Sequence, residues 1–212
     1  MRWAQTNQMS RIKSTRLVLA LLLSSCAPAY AGAIENAAKH CAAITQYDTY
    51  FQSASKRYLQ HDWRYLKAQS CQESKIKPSA KSPVGAYGFM QFMAGTWRDM
   101  QKQLKVPPLL QASAKDQIEA GAFYMGQLTA SWGAKRTAED RLKLALASYN
   151  AGIGNLLKAQ KKCGGCADYA GIIRQLPAVT GDKNSRETIG YSINIFGIFE
   201  IWSGDASKIA ND

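Results

Sequence analysis

Apolar residues recur every three or four positions along most of the chain after residue 34, a spacing that favours helices over strands. Met93, Trp97, Met100 and Leu104 illustrate this spacing on one predicted helix face. The apolar stretch 187–202 is rich in β-branched residues, but its length is typical of a buried helix. The predicted helices cover residues 35–58, 62–72, 89–104, 116–132, 137–149, 155–162, 168–176 and 187–202. The pattern therefore predicts a mainly α protein.

Capping residues and helix breakers fix the ends of these predicted helices. Asp62 and Asp116 each precede an apolar run and are expected to cap a helix, and Thr137 begins a near capping box with Asp140. Gly133 is expected to end a helix in the left-handed conformation. The caps therefore support the helix boundaries that the spacing predicts.

Loop-forming residues separate the helices without dividing the chain. Residues 75–88 are rich in Ser, Pro, Lys and Gly and predict a long loop, and Pro107 and Pro108 interrupt the helical pattern. Pro177 is expected to close the helix before it. No repeat or flexible linker divides residues 32–212, so we expect one domain there.

The amino-terminal residues 1–31 have the composition of an export signal. A basic stretch is followed by the short apolar run Leu17–Leu23 and by small residues up to Ala31, where cleavage is expected. A second interpretation is that Cys26 lies in a lipoprotein box and carries a lipid anchor. Either route predicts an exported, periplasmic protein.

The charge of the chain predicts an anionic partner. The sequence has 27 Lys and Arg against 15 Asp and Glu, a net charge of +12. Removal of residues 1–31 leaves 23 basic residues and a net charge of +8. This excess is compatible with nucleic acid, a membrane surface or a cell-wall polymer. An Arg-rich helix and an aromatic-basic platform are both missing from the sequence, which argues against nucleic acid.

Four cysteines remain in the exported chain. In an oxidising compartment they are expected to form structural disulfides, and three connectivities are possible. We expect the pairs Cys41–Cys71 and Cys163–Cys166. A redox Cys-x-x-Cys motif and a four-cysteine zinc site are the alternatives, and both fit an exported loop poorly.

The candidate chemistry lies between residues 71 and 97. Glu73 stands at a predicted helix end and leads into a loop with Gly85 and Gly88, where backbone can approach a ligand closely. Beyond the loop, one amide, Gln91, is embedded in apolar residues. These residues are Phe89, Met90, Phe92 and Met93. A carboxyl group beside such a surface is expected to have a raised pKa, which suits a general acid.

Three ordered blocks of the sequence resemble the lytic transglycosylases of the soluble-lytic, lysozyme-like family. The first block runs from Glu73-Ser74 to Met90-Gln91, the second covers residues 148–154, and the third covers residues 187–191. Phe89 replaces the usual Leu, Ala94 a usual Pro, and Ser148 a usual Ala. The resemblance implies a lysozyme-like fold over 32–212.

The family's activity, carried over to these positions, implies cleavage of the β-1,4 bond between N-acetylmuramic acid and N-acetylglucosamine in peptidoglycan, leaving 1,6-anhydro ends. Glu73 would be the catalytic acid, and the Tyr149 hydroxyl would hydrogen-bond to it. The residues expected to line the sugar groove are Ser74, Met90, Gln91 and Asn150, with Glu187 and Tyr191 along it. The resemblance implies no metal and no cofactor, and we expect a monomer.

Two other functions remain open at this point. A hydrolytic muramidase on the same fold would need a second carboxylate, for which Asp99 and Asp116 are available. A non-catalytic scaffold would bind the wall through its basic residues alone. The biological setting, either bacterial wall remodelling (including secretion or conjugation) or phage lysis, is equally open.

Overall fold

Helices account for most of the chain that the structure describes. The computed structural model describes residues 30–133 and 135–204. Its helices are α1 (30–42), α2 (Asp48–Tyr58), α3 (Trp63–Ser74), α4 (Ala94–Leu104), α5 (Ala114–Ser131), α6 (Ala138–Ala151), α7 (Ile153–Lys162), α8 (Tyr169–Ile173), α9 (Pro177–Thr180) and α10 (Asp182–Ser203), with a 3-10 turn at Leu109–Gln111. Within these segments, extended pairing is limited to two isolated bridges at Tyr87. The mainly α prediction is confirmed.

The predicted caps at Asp62 and Thr137 are present. The Asp62 carboxylate accepts the backbone N–H of Arg64 at the start of α3, and the Thr137 hydroxyl accepts that of Asp140 at the start of α6. The cap predicted at Asp116 is wrong. Ser113 is the N-cap of α5, and Asp116 forms the reciprocal half of a capping box with it.

Several predicted boundaries also differ from the structure. The helix expected over 35–58 is two helices, because residues 43–47 turn and place Tyr47 edge-on to Phe89 at 4.9 Å. The helix expected from residue 89 begins only at Ala94. Pro177 begins α9 instead of closing a helix, since proline is well suited to a first helical position.

The end of α5 and the start of α10 also differ from the prediction. The left-handed conformation predicted for Gly133 is wrong. Helix α5 ends at Ser131 and its C-cap is Trp132, whose indole N–H donates to Ser148 Oγ at 2.9 Å. The last helix starts at Asp182, earlier than residue 187, and is capped by Gly204 at φ 76°.

The long helix α10 packs against both α3 and α6 and so brings their ends together. Helix α3 is also tied to α2 by an ion pair in which Lys67 Nζ lies 2.7 Å from Asp48 Oδ1. Trp97, Trp132 and Phe51 are among the large side chains fully buried in the core. The carboxyl end of α3 is therefore held on several sides by packed helices.

The structure contains both expected disulfides. Cys41 in α1 is joined to Cys71 in α3, with 6.0 Å between their Cα atoms, and Cys163 is joined to Cys166 after α7. Cys26 and the predicted export signal lie outside the described residues. None of the helices in the described ranges combines the length and apolar composition that crossing a bilayer requires.

We expect the Cys41–Cys71 bond to contribute about 3 kcal/mol to the free energy of unfolding, because it closes a long loop of the unfolded chain. Its sequence separation is 30, against 3 for Cys163–Cys166. Urea unfolding of the double alanine variant at Cys41 and Cys71 measures this loss. The double alanine variant at Cys163 and Cys166 is the matched control and should lose less than half as much. Equal losses would contradict the loop-length explanation.

Candidate active site

Glu73 lies at the carboxyl end of α3, next to the last residue of that helix. Lys75 ends the helix in the left-handed conformation at φ 55°, and its backbone N–H donates to Cys71 O at 3.0 Å. The Glu73 side chain is half-buried, whereas Ser74 and Cys71 beside it are buried. The helix end therefore presents one carboxyl group at the boundary between core and solvent.

A tyrosine from α10 holds the Glu73 carboxyl group. The Tyr191 hydroxyl donates to Glu73 Oε1 at 2.6 Å, and the Gln69 side-chain amide donates to the Tyr191 oxygen at 3.0 Å. Both Tyr191 and Gln69 are buried, with 5% and 1% of their surface exposed. Three side chains from α3 and α10 thus form one continuous hydrogen-bonded chain.

The predicted hydrogen bond from Tyr149 to Glu73 is wrong. The Tyr149 hydroxyl donates instead to the backbone oxygen of Met90 at 2.6 Å, because the turn that follows Gly88 brings this carbonyl over α6. Burial raises the pKa of the Tyr149 phenol, and the charge of Glu73 adds to this effect. Tyr149 therefore fixes the loop beside the acid, and Tyr191 holds the acid.

Burial raises the pKa of Glu73 to about 7, against an ordinary value of 4.5. The hydrogen bond from Tyr191 acts in the opposite direction, because it stabilises the carboxylate, but desolvation is the larger effect. This direction agrees with the raised pKa that the sequence predicts for a carboxyl group beside an apolar surface. At neutral pH a large fraction of Glu73 carries a proton that it can give up.

The loop that faces the acid is braced by Gln117 of α5. Gln117 Oε1 accepts the backbone N–H of Phe89 at 3.0 Å, and its Nε2 donates to the carbonyls of Pro78 and Ala112 at 3.2 and 3.1 Å. Gly88, at φ 82°, passes so close that a Cβ there would lie 2.0 Å from Gln117 Oε1. Glycine is therefore required at this position by both conformation and space.

Two residues expected in the sugar groove are inside the protein. Met90 is fully buried against Gly121, and the Ser74 hydroxyl donates to Phe89 O at 2.9 Å and accepts the backbone N–H of Lys77 at 3.1 Å. The prediction that these side chains line a groove is wrong, because both are used to seat the loop on α3 and α5.

Of the other predicted groove residues, Gln91, Asn150 and Glu187 lie nearer the surface, whereas Tyr191 is buried. Gln91 adopts φ 47° and donates its amide to the carbonyls of Ala80 and Gly88 at 3.1 and 2.9 Å. Asn150 is exposed, and its Oδ1 accepts from the Thr188 hydroxyl at 2.7 Å. Glu187 precedes Thr188 on an exposed face of α10. The second and third sequence blocks therefore meet through Asn150 and Thr188.

A polar cleft lies next to Tyr149. The Tyr124 ring stands 5.4 Å from the Tyr149 ring and lines a cavity of about 320 Å³ between α4 and α5. Asp99 lines the same cavity and contributes, after burial, to the raised pKa of Tyr124. Sequence reasoning missed Tyr124, Gln69 and Gln117. Helical spacing alone could have indicated Gln69, which lies one turn before Glu73 on the same face of α3.

The carboxylates considered for a hydrolase have different surroundings. Asp116 is at the exposed start of α5, where its Oδ2 accepts from the backbone N–H and the hydroxyl of Ser113 at 2.9 and 2.7 Å. Asp99 is in α4 and lines the polar cleft. Asp116 is thus occupied by a helix cap and not by a catalytic site.

Comparison with known proteins gives one consistent family. The chain is 32% identical over 158 residues to the membrane-bound lytic murein transglycosylase F of Saccharophagus degradans. The aligned region covers 73% of this chain and 30% of that protein. It is 36% identical over 136 residues to the protein of the same name from Pseudoalteromonas translucida, and this aligned region covers 62% of this chain and 28% of the relative. The chain thus spans less than a third of the length of these curated relatives.

Solved structures agree on the fold. The 70 kDa soluble lytic transglycosylase of Escherichia coli matches with a TM-score of 0.61 and 24% identity, covering 78% of this chain and 26% of that one. An inactive mutant of the lytic transglycosylase Slt of Pseudomonas aeruginosa matches with a TM-score of 0.59 and 21% identity, over 78% of this chain and 26% of that one. The lysozyme-like fold expected from the sequence is confirmed. Because residues 49–170 match the family model described as the transglycosylase SLT domain, the chain belongs to the SLT transglycosylase family.

Proposed function

We propose that this protein is a peptidoglycan lytic transglycosylase. It would cleave the β-1,4 bond between N-acetylmuramic acid and N-acetylglucosamine and leave a 1,6-anhydro-muramic acid end. The observation that carries the proposal is a single half-buried carboxyl group, Glu73, with a pKa of about 7 and a hydrogen bond from Tyr191. The relatives named murein transglycosylases support the same substrate.

The reaction needs one group that first gives and then takes a proton. Neutral Glu73 donates its proton to the glycosidic oxygen as the bond to the muramic sugar breaks. The N-acetyl carbonyl of that sugar stabilises the anomeric carbon. The Glu73 carboxylate then removes the proton of the sugar's own C6 hydroxyl, whose oxygen closes the anhydro ring. No water is consumed, and Glu73 ends protonated as it began.

The polar cleft beside Tyr124 supports a saccharide substrate. Tyr124 offers an aromatic ring to the cleft, and Thr96, Asp99 and Gln127 offer hydrogen-bonding groups around it. Sugar rings present alternating apolar faces and hydroxyl groups, which such a cleft can contact. A glycan strand laid along this cleft would contact Tyr124, whose ring lies 5.4 Å from that of Tyr149.

The products test the proposal directly. Purified protein incubated with isolated sacculi should release muropeptides that are each lighter by one water than the corresponding hydrolysed fragments, as measured by mass spectrometry. An intramolecular hydroxyl has a high effective molarity and is expected to outcompete water. Reducing-end muropeptides would instead indicate a hydrolase, and no released fragment would indicate a wall-binding scaffold.

We also propose that the protein works in the cell envelope. The relatives named membrane-bound murein transglycosylases support this location. The positive net charge suits a wall that carries anionic polymers. Export through residues 1–31, and a lipid on Cys26 as the alternative, remain predictions.

A further inference from the structure

We propose that Gln69 is a positioning residue for Glu73 and acts through Tyr191. Its amide donates to the Tyr191 oxygen, so the one phenolic hydrogen is directed at Glu73 Oε1. The other carboxyl oxygen, Oε2, is then the atom that holds the exchangeable proton. The catalytic consequence rests on the proposed function, whereas the hydrogen-bonded chain itself does not.

The backbone places the two ends of this chain on one helix. Gln69 and Glu73 are four residues apart in α3, a spacing that puts both on the same face. Tyr191 reaches them from α10, with its oxygen 3.0 Å from Gln69 Nε2 and 2.6 Å from Glu73 Oε1. Gln69 is 1% exposed. A buried amide is found where it has partners, and its main partner here is the tyrosine.

The surroundings of the amide decide which way it points. Gln69 Nε2 also lies 3.5 Å from Met125 Sδ, and sulfur is a weak acceptor. The NH₂ group thus faces two acceptors, Tyr191 Oη and Met125 Sδ. The reversed amide would put its oxygen against sulfur and draw the phenolic hydrogen away from Glu73. With the NH₂ group toward Tyr191, the Tyr191 oxygen and Met125 Sδ each receive a hydrogen bond, and the Tyr191 hydroxyl remains directed at Glu73.

The other titratable group that faces Glu73 does not compete for this role. Tyr149 approaches from α6, and its hydrogen is committed to Met90 O at 2.6 Å. Among the described residues, Tyr191 is the side chain that donates to the carboxyl group. The direction of the Tyr191 hydroxyl hydrogen therefore determines which oxygen of Glu73 can carry the proton.

The test compares Gln69→Met, Tyr191→Phe and the double variant. Methionine keeps the length and apolar packing of glutamine but has no N–H donor. Carbon-13 NMR of the Glu73 carboxyl group should show its pKa raised by about half a pH unit in Gln69→Met and about one unit in Tyr191→Phe, because a hydrogen bond to a carboxylate is lost or weakened. The double variant should titrate like Tyr191→Phe alone. An unchanged pKa in Gln69→Met, or equal effects in both backgrounds, would overturn the proposal.

Kinetics supply the catalytic part. At pH 6, Gln69→Met should lower kcat about tenfold with little change in KM, because the acid is misdirected rather than the substrate lost. It should cause no further loss in the Tyr191→Phe background. A purely structural role would lower kcat by the same factor in both backgrounds and would overturn the proposal. If the wild-type protein makes no anhydro products, the proposed function fails while the NMR result on Gln69 still stands.

A measurement on the wild-type protein covers the case in which Gln69→Met does not fold. The Tyr191 hydroxyl proton, identified by its loss in Tyr191→Phe, should be protected from exchange and show a nuclear Overhauser effect to the Gln69 amide protons. An Overhauser effect supports the hydrogen-bonded chain. Its absence would overturn the proposal.

Discussion

Replacement of Glu73 by glutamine is expected to reduce glycan cleavage by about a thousandfold, within the range that positioned general acids contribute. Glutamine has nearly the same shape, and its carbonyl oxygen can still accept the hydrogen bond that Tyr191 donates to Glu73 Oε1 at 2.6 Å. It has no acidic proton to give to the glycosidic oxygen. The loss should therefore fall on kcat, with binding to sacculi and helical content unchanged.

Release of soluble muropeptides from labelled sacculi measures this effect over several orders of magnitude. Glu35→Gln is a matched control, because it makes the same chemical change on an exposed face of α1. It should retain wild-type activity. Substantial cleavage by Glu73→Gln would remove Glu73 from the mechanism and with it the proposed function.

The second large effect concerns pH. Glu73 acts as an acid only while protonated, and its pKa is about 7. The titration of Glu73 should therefore leave the rate of cleavage constant below about pH 6. Above pH 7 the rate should fall about tenfold per pH unit, which gives roughly a hundredfold loss at pH 9. A pH profile of kcat on sacculi measures this limb. An alkaline limb near pH 5 would mean that the carboxyl group is not desolvated.

The same group links stability to pH. Because its pKa rises on folding from 4.5 to about 7, the folded state binds the proton more tightly than the unfolded chain. Its contribution is fully present below about pH 4.5 and is lost as the pH rises through 7, by about 3 kcal/mol in all. Glu73→Gln does not titrate, so its stability relative to wild type should increase between pH 4 and pH 8. Urea unfolding of both proteins across this pH range measures the difference.

Local patterns predicted most of the helices and singled out Glu73 as a candidate acid. Asp62 and Thr137 cap helices because capping depends on a few neighbouring residues. Glu73 could be identified because it precedes a glycine-containing loop and an apolar cluster in the same stretch of sequence. Its raised pKa followed from that same neighbourhood.

The partner of the acid could not be predicted in this way. Tyr191 is buried and Tyr149 is partly buried, and both lie in blocks that match the family pattern. The choice between them depends on how α6 and α10 pack against α3. A turn that presents Met90 O to Tyr149 decides the outcome, and nothing in the local sequence encodes that distance. Gln117 escaped notice for a related reason, because its three partners come from two separate loops.

The bond between Cys41 and Cys71 makes the stability of the end of α3 depend on the redox state of its surroundings. Cys71 precedes Glu73 by two residues, so the covalent tether to α1 acts close to the acid. With the thiols reduced, only packing and hydrogen bonds oppose opening of the end of α3. Opening becomes more frequent, because the opened chain is no longer restricted by the disulfide. The domain is therefore less stable before this bond forms and reaches its full stability only where thiols become oxidised.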